Sequence, residues 1–397
     1  MNKFIIYIML ICCSFKLHAG EKGEQGNKGI HFRNITFEQA LEASKREGKP
    51  VFMHGFASWC HYCIYMAESV YPDSTVGAFY NEHFVCIKVD LEKEGAELNK
   101  RLKSHTYPTL VFFDANGEVI HRAVGRYYKA LFMELAMEAT EPRRQLRSWL
   151  NIYNEGNVSA DTAYQVIRKM EVAGMETQEA LLKYLNHLSS EQIVLTENWK
   201  IINELFKDVN ASFMQKLIDN KKELEKLYTT NAVNSKLISI YSFEFYMRNR
   251  QLDSLGFDKL KLKIKESKLD ISNMIIDYAD LNRMNAMSMY EDYFKAAPPF
   301  INSYCLTNAE MINEVARVFY DKTQNRDLLL QASDWMHKSV QLDDAYNSNL
   351  LLCGILIQLS NKKEAMAVAN HAKEIAEKNK LNNKNLLLLF DKIDQMQ

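Results

Sequence analysis

Two cysteines three apart stand directly between a short apolar run and a helical one. Val51-Phe52-Met53-His54-Gly55-Phe56 follows the stop Gly48-Lys49-Pro50 and reads as a strand; Cys60-His61-Tyr62-Cys63 opens the stretch behind it. A cysteine in the first turn of a helix lies beside unsatisfied backbone N–H groups and the positive end of the dipole, which stabilise a thiolate. Thiolate is the attacking species in disulfide exchange, so Cys60 is the candidate nucleophile. Cys63, one turn on and expected to be the more buried, is the candidate resolving thiol. Trp59 and Tyr62 are candidates for a docking surface, and His61 adds positive character beside the sulfur. Such pairs also occur in metal sites. A soft-metal module holding Cu(I) on Cys60, Cys63 and His61 is therefore a competing reading. No second Cys-x-x-Cys is present to complete a structural zinc site.

The flanking sequence predicts one mixed sheet with helices on its faces. Phe37 to Arg46 has helical spacing behind a Thr36 cap. A helix over Asp73–His83 precedes the β-branched strand 84–90, and a helix over 96–103 leads into Thr109-Leu110-Val111-Phe112-Phe113. The turn Asp114-Ala115-Asn116-Gly117 joins that strand to 118–122 as a hairpin, and a last helix starts near Tyr128. The proline of Tyr107-Pro108 directly precedes a strand. A proline there can be held cis and removes an N–H where a substrate backbone docks, with Tyr107 beside it; a plain strand-start proline is the alternative.

The rest of the chain is of another kind. Between Pro142 and Pro298 there is no proline, and amphipathic stretches separated by Gly, Asn, Asp and Ser predict an all-helical region. Phe319, Ala332, Met336 and Ser339 recur in character at Leu352, Ala365, Ala369 and Ala372, each 33 residues on, which suggests a tetratricopeptide-like array. Clustered aromatics such as Tyr241, Phe243, Phe245 and Tyr246 read as core. At the other end, Lys3, the apolar run Phe4–Phe15 and Ala19 read as an export signal over 1–19, too short to span a bilayer comfortably, with a retained membrane anchor as the alternative. The domains expected are that signal, a Gly-rich linker at 20–33, a sheet domain at 34–141, a helical domain at 142–300 and a repeat-like region at 301–397. No later stretch is long and apolar enough to cross a membrane. The net charge of −1 gives no electrostatic case for nucleic acid. Five cysteines remain beyond the signal: one close pair and three scattered residues, a pattern of redox work rather than stapling.

Residues from about 34 to 140 resemble a thioredoxin-fold domain. The matching pieces are Phe56-Ala57-Ser58-Trp59-Cys60-His61-Tyr62-Cys63, Ile87-Lys88-Val89-Asp90, Tyr107-Pro108-Thr109-Leu110-Val111-Phe112-Phe113-Asp114, Asn116-Gly117 and Val124-Gly125. The spacer from Val70-Tyr71-Pro72-Asp73-Ser74 to Phe84-Val85 is similar to the exported branch that includes the C-terminal domain of membrane disulfide reductases. The helical remainder resembles the extension on exported thioredoxin-like proteins of Bacteroidetes-type bacteria. The resemblance implies a nucleophilic Cys60, a resolving Cys63 and a cis Pro108, in a thiol–disulfide oxidoreductase that needs no cofactor. It also implies client disulfides as substrate and a membrane thiol–disulfide reductase as electron donor, outside the cytoplasm.

Two positions depart from that family. His54 stands where thioredoxins carry a buried Asp, and Cys86 where they carry its partner lysine. His54 either takes over the proton role or packs in the sheet. Cys86 is read as a buried strand residue, with a third redox partner as the alternative. A helical scaffold bearing a vestigial thioredoxin head remains a further reading of the whole chain.

Overall fold

The computed structural model describes residues 29–267 and 269–396. The expected export signal, Cys12, Cys13 and most of the linker lie outside the described residues. The chain divides by its internal contacts into two compact units, the first ending at Leu181.

In the first unit, helix α1 (Phe37–Glu47) starts at a capping box in which Thr36 and Gln39 satisfy each other's backbone N–H groups, and it stops at Gly48. Then follow β1 (Val51–Phe56), α2 (His61–Ser69), α3 (Ser74–His83), β2 (Val85–Asp90), α4 (Ala96–Leu102), β3 (Thr109–Phe113), β4 (Val119–Val124) and α5 (Lys129–Thr140). The sheet order is β2-β1-β3-β4, with β1 and β2 parallel and β3 antiparallel to β1 and β4. Gly117 closes the β3–β4 turn at φ 83°, a left-handed conformation that only glycine adopts without strain, while Asp114 accepts from the N–H groups of Asn116 and Glu118.

Strand alternation sends side chains to two cores. One face packs Phe52 and Phe112 against Tyr80, Phe132 and Met66; the other packs Met53, Val111 and Phe113 against Ala40, Ala43 and Leu102. Burying each of these large side chains contributes roughly 1.5–3 kcal/mol. Tyr80 is wholly buried, and its hydroxyl donates to the Phe132 carbonyl at 3.0 Å, which locks α3 to α5.

The unit does not end at Pro142. Helices α6 (Leu146–Glu155) and α7 (Ala160–Val172) return to the edge strand β4. The Leu146 N–H donates to His121 Nδ1 at 3.0 Å, Arg147 pairs with Asp114 at 2.5 Å, and Lys169 reaches Glu138 at 3.3 Å. Contact with His121 and then the charge of Lys169 hold the Glu138 carboxyl down to about 2. An exposed sheet edge is thereby covered.

In the second unit every regular element among the described residues is helical. Its longest helix is Thr230–Arg250, in the proline-free stretch as expected; Pro298 and Pro299 sit at the end of Tyr290–Phe300, where a π turn over Ile301–Cys305 takes over. The helices Ala309–Lys322, Arg326–Leu342, Tyr346–Gln358 and Lys362–Asn379 pack in sequence, and the small residues Ala332, Ala365, Ala369 and Ala372 are fully buried between them. No helix among the described residues is long and apolar enough to cross a membrane.

Candidate active site

Strand β1 delivers the chain to the dithiol, and α2 begins on it. Cys60 is the N-cap of α2; its sulfur accepts from the Cys63 N–H at 3.0 Å and is joined to Cys63 in a disulfide. A sulfur at this position receives the positive end of the helix, as the spacing requires. The expected difference in burial is absent in the oxidised pair: Cys60 is 3% exposed and Cys63 5%. Both are covered together, because Phe56 and Tyr107 pack over the cluster of Ala57, Cys60 and Cys63.

Trp59 stands out from the surface at 67% exposure. Its indole N–H donates to Glu92 at 2.9 Å, and its ring meets Tyr107 edge-on at 5.6 Å. The Tyr107 hydroxyl accepts from Asn99 at 3.2 Å, and the Tyr107–Pro108 bond is cis. Tyr107, with Trp59 against its ring, is thus held over the disulfide, and Glu92 and Asn99 are partners the sequence reading missed. A carboxylate one residue past Leu91 at the end of β2 was the only available signal for Glu92.

On α2 itself, His61 is exposed and Tyr62 half-exposed. Arg126 lies over the rings of Tyr62, Tyr65 and Tyr128 at 5.3, 5.3 and 4.7 Å, so a cation overlooks this end of α2 that the linear sequence did not associate with it. Among the described residues no group of three or more His, Cys, Asp or Glu side chains converges.

His54 lies on β1 with neither ring nitrogen hydrogen-bonded, 2% exposed, against Tyr71 and Phe56 at 5.1 and 5.8 Å. Burial, and then the charge of Lys88, push its pKa down to about 3. Moving a proton to such a ring from a thiol of ordinary pKa costs about 7.5 kcal/mol. The packed, neutral ring is the reading this environment favours. Lys88, not position 86, faces His54 across β1 and β2, and its ammonium lies 4.5 Å from the Phe32 ring. Cys86 is buried, directs its thiol at the Tyr80 and Phe84 carbonyls, and is pushed up to about 12 by burial. Cys305 and Cys353 are likewise buried and raised, to about 12 and about 11.

A β2-β1-β3-β4 sheet flanked by helices, a Cys-x-x-Cys at the N-terminus of the helix after β1, and Pro108 at the start of β3 define a thioredoxin-fold protein, here with a helical extension. Residues 26–113 match the family model Thioredox_DsbH, described as a protein of unknown function, DUF255. The disulfide bond reductase DsbH of Chlamydia pneumoniae is 28% identical over 131 residues, which cover 30% of this chain and 79% of that protein. The thiol:disulfide interchange protein DsbD of Ralstonia nicotianae is 27% identical over 108 residues, covering 25% of this chain but only 18% of that protein. Among solved structures, a putative disulphide-isomerase from Bacteroides thetaiotaomicron is 38% identical, with a TM-score of 0.27, covering 28% of this chain and 94% of that one. The family match falls on the sheet-bearing part.

Proposed function

We propose that this protein is an extracytoplasmic thiol–disulfide oxidoreductase that reduces disulfides of client proteins through Cys60 and Cys63. One observation carries the reading: of the five cysteines among the described residues, Cys60 alone caps a helix N-terminus and is bonded to a neighbour one turn away. The DsbH and DsbD relatives support it at the level of reaction class, and DsbD supports a membrane reductase as the donor.

In the reduced form the Cys60 thiolate attacks one sulfur of the client disulfide. The Cys60–client bond forms, the client bond breaks, and the departing client thiolate takes a proton from water. Cys63 gives its proton to water and attacks Cys60; their disulfide forms, and the second client sulfur leaves as a thiolate that takes a proton back from water. The client gains two electrons and the pair loses two, to be restored by the dithiol of the donor. The N-terminal N–H groups of α2 stabilise the Cys60 thiolate at both stages. Trp59, Tyr107, Pro108, His61 and Tyr62 form the client-facing surface. His54 contributes a neutral, apolar backing rather than a base. The helical region selects or holds the client, and Lys3, the largely apolar run behind it and Ala19 support export.

The test is a Cys63→Ala variant of the full chain expressed in its native compartment. It is expected to accumulate mixed disulfides with clients, released by reductant and absent from Cys60→Ser/Cys63→Ala. Normal expression with no trapped species overturns the reading.

A further inference from the structure

Arg122 is a buried charge without a counter-charge. It lies on β4 at 7% exposure, and its one hydrogen bond runs from Nη1 to the Leu102 carbonyl at 2.6 Å. Its Nε and Nη2 are buried with no partner in the protein, and among the described residues no carboxylate reaches it. Guanidinium offers five N–H donors and stays charged at any physiological pH. A buried charge in this condition is costly unless something pairs with it.

Two cavities meet at this side chain. The smaller, about 220 Å³, also holds Glu138, already occupied by His121 and Lys169. The larger, about 730 Å³, is lined by Arg122, Arg101, Lys103 and Arg147 and by apolar residues including Leu150 and Met175. Its one carboxylate, Glu176, accepts from the Gln178 N–H at 3.1 Å, and Asp114 neutralises only Arg147. Arg101, exposed, holds its guanidinium 5.5 Å from the Phe37 ring and donates from Nη2 to the Gly117 carbonyl at 3.1 Å, and Lys103 is exposed on the end of α4. The cavity therefore combines unmatched positive charge with an apolar wall, and its volume suits a small molecule.

We propose that this cavity binds a small organic anion, an oxyanion head on an apolar body. The head takes the free N–H groups of Arg122 after passing Arg101 and Lys103, and the body lies against Leu150 and Met175. Arg122 lines both cavities, and its unpartnered Nε and Nη2 are the donors left for the head. The site is built from α4, β4 and α6 and stands independently of the dithiol reading.

Isothermal titration of the full chain with sodium octanoate and with octyl phosphate, beside the neutral octanamide, tests this. Either anion is expected to bind at least about tenfold more tightly than octanamide, and Arg122→Met to remove about that factor. Lys103→Gln, at an exposed position that leaves the fold intact, is expected to weaken the anions about threefold, more at low salt. Equal affinity for octanoate and octanamide, no binding of either anion, or Arg122→Met binding as tightly as the parent overturns the proposal. If Arg122→Met does not fold, Lys103→Glu decides: unchanged anion affinity overturns it.

Discussion

The two units treat their buried polar groups differently. In the helical unit Lys236 donates to the Asn203 carbonyl at 2.8 Å, Asn198 bonds both Tyr184 and the Gln192 carbonyl, and Ser339 and Asn349 are similarly held. In the sheet-bearing unit His54 is buried with both ring nitrogens free and Arg122 with two of its nitrogens free. Unsatisfied buried groups are rare where a structure has only to be stable. The helical unit also leaves atoms of Asn234, Arg248 and Gln358 free, but on side chains only partly buried; the unit that keeps them on fully buried side chains is the one that also carries the disulfide. The cysteines of the helical unit read as packing, and the close pair of the sheet unit reads as chemistry.

That contrast can be broken at several points. The largest effect expected is at Cys60: Cys60→Ser abolishes reduction of a model disulfide, whereas Cys86→Ser, Cys305→Ser and Cys353→Ser leave the rate unchanged in a stopped assay. A loss of rate at Cys86 would return it to the redox pathway. The next is at His54. Its folded pKa, about 3, lies below the ordinary 6.5, so the unfolded chain binds the proton more tightly between these values. The stability it confers is complete above pH 6.5 and falls as pH drops towards 3, by up to about 5 kcal/mol. Denaturant melts from pH 7 to pH 4 are expected to show this slope and His54→Phe to flatten it, with disulfide exchange retained.

Phe319→Ala sharpens the contrast from the other side. Phe319 is fully buried against Phe294 and Trp335 at 4.7 and 5.1 Å, so truncation is expected to destabilise the helical unit by about 3–5 kcal/mol. Purified protein below its melting point should still reduce a small disulfide at the parent rate. Smaller again is Lys236, pushed down to about 8, chiefly by burial. Here too the folded state binds its proton more weakly, so stability rises between pH 8 and 10.5, by about 3 kcal/mol, and is lost on going back down. Lys236→Met is expected to remove that alkaline slope while leaving the acid slope of His54 in place.

Local patterns carried much of this in the sequence. Val51–Phe56 and Thr109–Phe113 are strands at the expected residues, and the Asp114–Gly117 turn closes the expected hairpin, because alternation, β-branching and turn residues act over a few positions. Thr36 caps its helix for the same reason. What stayed hidden depends on segments far apart in the chain. His121 and Arg122 look like solvent-facing residues of an edge strand until α6 and α7 fold back over β4. Glu92 and Arg126 meet Trp59 and Tyr62 only through the crossing of strand ends with α2. The cation expected from the family at position 86 appears instead at Lys88, since strand register, not alignment, decides what lies opposite His54. The burial of Cys60 beside Cys63 was missed because both sit under Tyr107, brought there by the segment before β3.

The central claim is that one sulfur, Cys60, is set apart from the others by its place at the end of α2. Pulsed alkylation of the fully reduced full-length chain over pH 5 to 10, read out cysteine by cysteine by mass spectrometry, tests it directly. The account predicts that Cys60 labels first, with an apparent pKa below the ordinary 8.5, while Cys86, Cys305 and Cys353 stay unlabelled in the native protein. Labelling of Cys86 ahead of Cys60, or an apparent Cys60 pKa at or above 8.5, would contradict it.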